Sequence, residues 1–326
     1  MRHPAFAVRL ALAPLCLLAA GCADPAEPAR PPDPVPVVSA MADADAILRA
    51  NLVGTYMALA PQMAVARGSG TVFSDTLAGK TLEWSTPDVR YLTGARQGAP
   101  AGSVRFLLYR PDATINAQPT FPLIELGLTD KIATTSRGTP ALRTVLRDSA
   151  GALPAADYVV GGSFGTEAYT VTLDGTIRQT VTGSVHLGLD VEPTLTQALI
   201  TVAVPERDVA VRSFHSDVIN GDTLFGSLDF RVTHDGHTVS MIGTFVLTHL
   251  DAARPDERLD LTFRDGSVTF ATMRGDAGAP HIADGDGLPI SNGAAFAISR
   301  LISSPDRYFA AVTRIAQSDF ALLRGY

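Results

Sequence analysis

The stretch Leu224 to Leu247, LFGSLDFRVTHDGHTVSMIGTFVL, decides the fold. Asp235-Gly236 stands at its centre, and this dipeptide suits a two-residue hairpin turn. Folding about that turn opposes Val232 to Val239, Phe230 to Met241, Leu228 to Gly243, Gly226 to Phe245 and Leu224 to Leu247. Every pair lies on one apolar face, and each glycine meets a bulky partner. Turn chemistry and side-chain alternation therefore predict the same antiparallel register.

The period-two pattern extends outward from this hairpin. Asp265-Gly266 repeats the device and predicts pairs of Phe263 with Val268 and Leu261 with Phe270. Upstream, Ile177, Val181, Val185, Leu187, Leu189 and Val191 share one parity against Arg178, Thr180, Thr182, Ser184, His186 and Asp190. That reads as one long strand with a single wet face, bent or bulged at Gly183 or Gly188. Asp174-Gly175 is expected to turn through a three-residue loop with Gly175 left-handed, since a two-residue loop would put Ile177 on the wrong face. Shorter strands are expected at Thr71–Ser74, Thr81–Trp84, Val89–Leu92, Val104–Tyr109, Leu123–Leu128 and Leu142–Leu146.

Helical periodicity appears only at the two ends. Ser39 to Ala66 is alanine-rich, with Leu48, Leu52, Tyr56 and Leu59 on one stripe, Asp43 and Asp45 near its start and Pro61 as a stop or kink. Gly293 to Ile302 carries Phe296, Ile298, Leu301 and Ile302. Ser304-Pro305-Asp306 then starts a last helix with Phe309, Val312, Ile315 and Ala316 as its apolar stripe. The fold class is mainly β (α+β): a large twisted antiparallel sheet, half-barrel or sandwich, with an N-terminal helix and C-terminal helices packed on it.

The N-terminus carries the clearest chemistry. Arg2 and Arg9 precede an apolar run from Leu10 to Ala20, too short for the roughly 20 residues that span a bilayer. Leu18-Ala19-Ala20-Gly21-Cys22 follows, and these residues resemble the lipobox of bacterial lipoproteins. The resemblance implies that 1–21 is a signal peptide and that Cys22 is the lipidated mature N-terminus. With two or three acyl chains the protein would be held on a membrane nearly permanently. Ala23 in the next position gives no inner-membrane retention signal, so the resemblance implies the outer membrane, facing the periplasm. Six prolines between Ala23 and Val38 make 22–38 a spacer, and 39–326 is the β-rich envelope domain, as one body or as two sub-domains splitting near 155.

Composition excludes several classes. Cys16 lies in the leader and Cys22 would carry lipid, so the mature domain has no disulfide, thiolate nucleophile or cysteine-ligated zinc. The net charge of −7 falls to −9 without Arg2 and Arg9. Nucleic acid, which needs basic stripes, is thereby excluded as a partner.

Each candidate for chemistry has a plainer rival. Gly161-Gly162-Ser163-Phe164-Gly165 has the letters of a hydrolase nucleophile elbow, but Tyr169 to Leu173 after it reads as a strand where the elbow needs a helix, so a glycine-rich hairpin loop is expected. His234 and His237 flank the Asp235-Gly236 turn and should face each other, close enough to share a metal, although no third ligand is visible. His215 with Asp217, and His281 with Asp284 and Asp286, need tertiary folding to meet. Asp284-Gly285-Asp286-Gly287 begins like a calcium loop but fails at Leu288 and Ala295. No cofactor is expected. The function that remains is a tethered binding or interaction module, holding an apolar ligand between sheet and helices or docking an envelope protein. A structural envelope protein without ligand and a serine-dependent hydrolase are the alternatives.

Overall fold

The computed structural model describes residues 33–48, 51–63, 72–111, 118–136, 138–150, 154–164, 169–180, 183–192, 197–204, 207–252 and 255–323, with backbone only at 47–48, 51, 136, 163–164, 169–180, 183–192, 197–198, 317–318 and 320–321. Two compact units appear: Met1–Met41 with Val211–Phe309, and Ala42–Ala210 with Ala310–Tyr326. Strand dominates both. The division does not fall near residue 155, because the strands on either side of it pair directly, Leu146 with Ala156 and Leu142 with Val160.

Helix α1 (Val35–Leu48) begins earlier than its prolines suggest. Pro36 occupies the first turn, where its missing N–H costs nothing, and the Asp33 carboxylate accepts the Val35 N–H at 3.1 Å. The helix therefore starts before Val38, inside the stretch expected to be a spacer. Helix α2 (Asn51–Leu59) follows, and Pro61 ends it in a single 3₁₀ turn at Ala60–Gln62.

The second unit holds β1 (Lys80–Ser85), β2 (Arg90–Thr93), β3 (Ser103–Tyr109), β4 (Glu125–Ser136), β5 (Thr139–Asp148), β6 (Pro154–Phe164), β7 (Tyr169–Thr180), β8 (Gly183–Glu192) and β9 (Gln197–Val204). Their order is β9-β8-β7-β6-β5-β4-β3-β1-β2, antiparallel throughout except where β1 runs parallel to β3. Three expectations fail here. Val72 to Gly79 forms turns and bends rather than the strand expected at Thr71–Ser74, with Val72 and Phe73 buried. Asp174-Gly175 lies inside β7, opposite Val159 and Tyr158, and is not a turn. The long strand through Val191 is two strands, reversing between Thr180 and Gly183. A bulge between Arg178 and Thr180 pairs Ile177 with Val185, and this one-residue slip keeps odd-numbered residues on one face through the reversal. Period-two alternation cannot distinguish such a hairpin from a continuous strand.

The first unit contains β10 (Val209–Asn220) from Val211 onward, then β11 (Thr223–His234), β12 (His237–Thr248), β13 (Asp256–Asp265), β14 (Val268–Asp276) and β15 (His281–Ala283), neighbours in sequence order and antiparallel from β11 to β15. The β11–β12 hairpin has the expected register from His234↔His237 to Leu224↔Leu247. Asp235 and Gly236 take φ of 49° and 74°, the pair of positive values that a I′ turn requires. Gly226 has a second use: a Cβ there would stand 2.1 Å from the Phe245 ring, which lies across it and meets His215 on β10 with ring centroids 5.4 Å apart.

The β13–β14 register is corrected. Asp265 stays in β13, paired with Val239 of β12, so the turn is Gly266-Ser267 and Asp265 opposes Val268. A bulge between Phe263 and Arg264 then sets Phe263 against Ala271 and Leu261 against Met273, restoring apolar pairs. Helix α3 (Asn292–Ile302) is capped by Ser291, whose hydroxyl accepts the Ala294 N–H at 3.1 Å, and buries Ala294, Ala297, Ile298 and Leu301. Helix α4 (Pro305–Leu323) starts at Pro305 as expected, but the Ser304 hydroxyl donates back to the Arg300 carbonyl at 2.6 Å. Phe309 is exposed, and Tyr308 takes the inward place, its ring 6.3 Å from Phe230.

Phe230 is wholly buried in the β11–β12 hairpin, opposite Met241. Phe230→Ala should lower the unfolding free energy by about 3–5 kcal/mol, read from the denaturant midpoint at unchanged slope.

Candidate functional site

The strand registers of the second unit align a polar row across an apolar face. Lys131 on β4 opposes Thr144 on β5, and Thr144 opposes Tyr158 on β6. The flanking rows are Phe106, Thr129, Leu146 and Ala156 on one side, and Ala133, Leu142 and Val160 on the other. Helix α2 supplies Tyr56 to the row, and α4 supplies Asp319 and the Ile315 carbonyl. Lys131 and Asp319 are both 0% exposed.

Hydrogen bonding in this cluster has one consistent direction. The Lys131 ammonium donates to an Asp319 carboxylate oxygen, to Tyr56 Oη at 2.9 Å and to Thr144 Oγ1 at 3.3 Å, matching its three protons to three acceptors. Thr144 donates onward to the other Asp319 oxygen at 3.0 Å. Tyr158 gives its proton to the Ile315 carbonyl at 2.9 Å, so in the 2.7 Å contact between the phenols Tyr56 donates and Tyr158 accepts. The Lys131 charge also stands 5.2 Å from the Tyr56 ring centroid. Burial by itself would pull Lys131 down, but the Asp319 charge and Tyr56 outweigh it, and the ammonium is held above the ordinary lysine range. Burial pushes the Tyr158 phenol well above its usual value, so it stays neutral.

Chemically, this arrangement is a clamp. A general base or nucleophile needs a free lone pair aimed at substrate, whereas here the polar atoms named are committed to one another. Buried ion pairs are costly to desolvate and strongly destabilising to break, so the cluster penalises any arrangement that separates α4 or α2 from the β4–β6 row. Thr129, two residues from Lys131 on the same face, has a buried hydroxyl without a hydrogen-bond partner.

The residues singled out from sequence lie elsewhere. His234 and His237 are directly opposed, with His234 Nε2 3.4 Å from the Asp235 carboxylate and its Nδ1 buried without a partner. His215 Nε2 meets Asp217 Oδ1 at 2.7 Å, two residues apart on β10. The Asp284 carboxylate accepts the N–H groups of Asp286 at 2.9 Å and Leu288 at 2.7 Å, so the calcium-like letters form a self-capped turn. Among the described residues no group of three or more His, Cys, Asp or Glu side chains is placed to hold a metal ion. Gly161 to Phe164 belong to β6, not to a loop, and Ser163 opposes Thr170 of β7 in the backbone register. The strand-to-helix setting of a nucleophile elbow is therefore missing at Ser163, whose side chain lies outside the described residues. Cys22 lies outside them too.

Sequence reading missed the clamp. One signal was available: Asp319 continues the stripe of Ile315 and Ala316 at helical spacing, an acid where the pattern calls for an apolar side chain. Nothing in the alternation around Lys131 identified its partner 188 residues away. Comparison with known proteins found no matching family model, no matching curated protein and no matching solved structure.

Lys131→Met and Asp319→Leu should each cost about 3–5 kcal/mol by leaving a buried charge alone, while the double variant should regain a large part of the loss. Denaturant titrations of the four proteins measure the coupling, and strict additivity would show that the two charges do not act together. Thr129→Val removes an unsatisfied buried hydroxyl at constant shape, and should raise stability by about 1 kcal/mol.

Proposed function

We propose that the chain is a lipid-anchored cell-envelope module, held by acyl chains on Cys22 at the periplasmic face of the outer membrane, that works by binding another envelope component. The observation that carries this reading is the run Leu18-Ala19-Ala20-Gly21-Cys22, followed by a proline-rich spacer that gives way to α1 at Val35. An acylated cysteine needs a linker that keeps the folded domain clear of the headgroups, and polyproline II at about 3.1 Å per residue supplies one. Helix α1 belongs to the core, with Val37, Val38 and Met41 at 5%, 0% and 0% exposure. The spacer is thus attached to a fixed point of the fold.

Of the ways to bind, docking a protein is favoured over enclosing an apolar ligand. The helix-covered row over β4 to β6 is taken up by Lys131, Thr144, Tyr158, Tyr56 and Asp319, which satisfy one another. A serine hydrolase is disfavoured because Ser163 continues into a hairpin.

Cys22→Ser should abolish acylation, because only the thiol forms the thioether and the mature chain has no other cysteine. Intact mass and membrane fractionation of both proteins decide the matter. Wild type should carry the mass of its acyl chains and sediment with membranes, while the variant should be soluble with an unchanged melting curve. A wild type without acyl mass would sink the reading, and phospholipid copurifying with the soluble variant would restore the apolar-ligand form.

A further inference from the structure

The first unit is polarised along its strands. At one end Asp33, where the spacer joins the fold, lies with its carboxylate 3.9 Å from the position a Cβ would take on Gly293, and its charge adds to the burial that raises the Asp265 carboxyl above its ordinary value. Asp265 opposes Val239, and Val239 opposes Val232. The tether therefore joins the unit toward the Asp265 end of its strands. Seven residues along β11 from Val232 stands Phe225, about 23 Å away at strand rise, near the far end of the unit.

At that far end the sheet exposes apolar side chains. Val218 on β10 is 48% exposed and Phe225 on β11 is 49% exposed, while Ile219, next to Val218 in the strand, points to the opposite face. Phe225 opposes the half-buried Val246, Val246 opposes Arg258, and Arg258 opposes Asp276. Elsewhere the same face is ionic, with Asp229 paired to Arg212 and Arg231, and Asp260 paired to Arg274. The apolar group interrupts an otherwise charged surface. Around it the exposed charge is mostly acidic: Asp222, Asp251, Asp256 and Asp276 outnumber Arg258, and Arg254 of the same loop lies outside the described residues. Arg258 faces Asp276 at 3.5 Å, and Asp256 faces His249 at 3.0 Å.

Resting on the tethered reading above, we infer that Val218, Phe225 and Val246 form the docking surface for a basic segment with apolar side chains, carried by another envelope protein. Two observations select that occupant. An apolar centre with an acidic rim complements a cationic, apolar-faced partner and repels an anionic membrane surface. The tether enters at the opposite end of the strands, so the eleven residues from Cys22 to Pro32, reaching about 34 Å as polyproline II, let the patch face away from the anchoring membrane.

The experiment places a photoreactive benzophenone amino acid at Phe225 of the full-length protein in cells, with the same probe at Phe296 on α3 as control. The expected product is one cross-linked envelope protein, formed from position 225 and not from 296, whose attached peptide is net basic. Val218→Ser in the same chain should lower its yield at least fivefold and leave the melting temperature unchanged. A cross-linked dimer of this chain, a phospholipid adduct, an acidic attached peptide, equal yields from both positions or no adduct would each overturn the inference. Acyl mass is measured on the same sample, so failure of the tethered reading is seen separately from failure of the docking surface.

Discussion

A single buried ion pair, Lys131 with Asp319, ties together three parts of the second unit that are remote in sequence. Its strength comes from the context that makes it expensive. An isolated ammonium or carboxylate at 0% exposure would lose its hydration without return, so each needs the other and the neutral donors around them. Thr144 and the two phenols complete the set, and the direction of every proton follows once Tyr158 is committed to the Ile315 carbonyl. One of only two lysines in the chain is spent here. A compact ammonium with three donors suits three acceptors arranged around one point, a geometry that the planar arginine fork does not match.

The first unit achieves specificity by other means. Its order comes from local rules applied in register: a I′ turn at Asp235-Gly236, a glycine beneath the Phe245 ring, and a bulge that returns Leu261 and Phe263 to apolar partners. These devices act between neighbouring strands and need no distant partner. Tyr308 then seals the face against Phe230. The wet side carries paired charges, which makes the apolar end of β10 and β11 the place where the surface departs from its own pattern.

On the tethered reading proposed above, the proline-rich stretch is a spacer, whose physical demands differ from those of a folded domain. Where its last prolines meet α1, the same residue type serves as a helix start, since a first-turn proline loses no hydrogen bond and has φ already set. Asp33 completes the change by accepting the Val35 N–H.

From residues alone, the mainly β class, the helices at both ends and the full β11–β12 register were legible, because turn chemistry and alternation are nearest-neighbour properties. The lipobox resemblance at Cys22 is a local pattern too, and it lies outside the described residues. Tertiary structure decided the rest. The reversal between β7 and β8 was hidden because its bulge preserves parity, and the Asp265-Gly266 turn moved by one residue because β12 holds Asp265 in line with Val239. Tyr308 displaced Phe309 from the interior because Phe230 stood where its ring could pack. The Lys131–Asp319 clamp lay furthest from reach: its members are brought together by strand register and helix packing, and no local pattern encodes a contact between residues 188 positions apart.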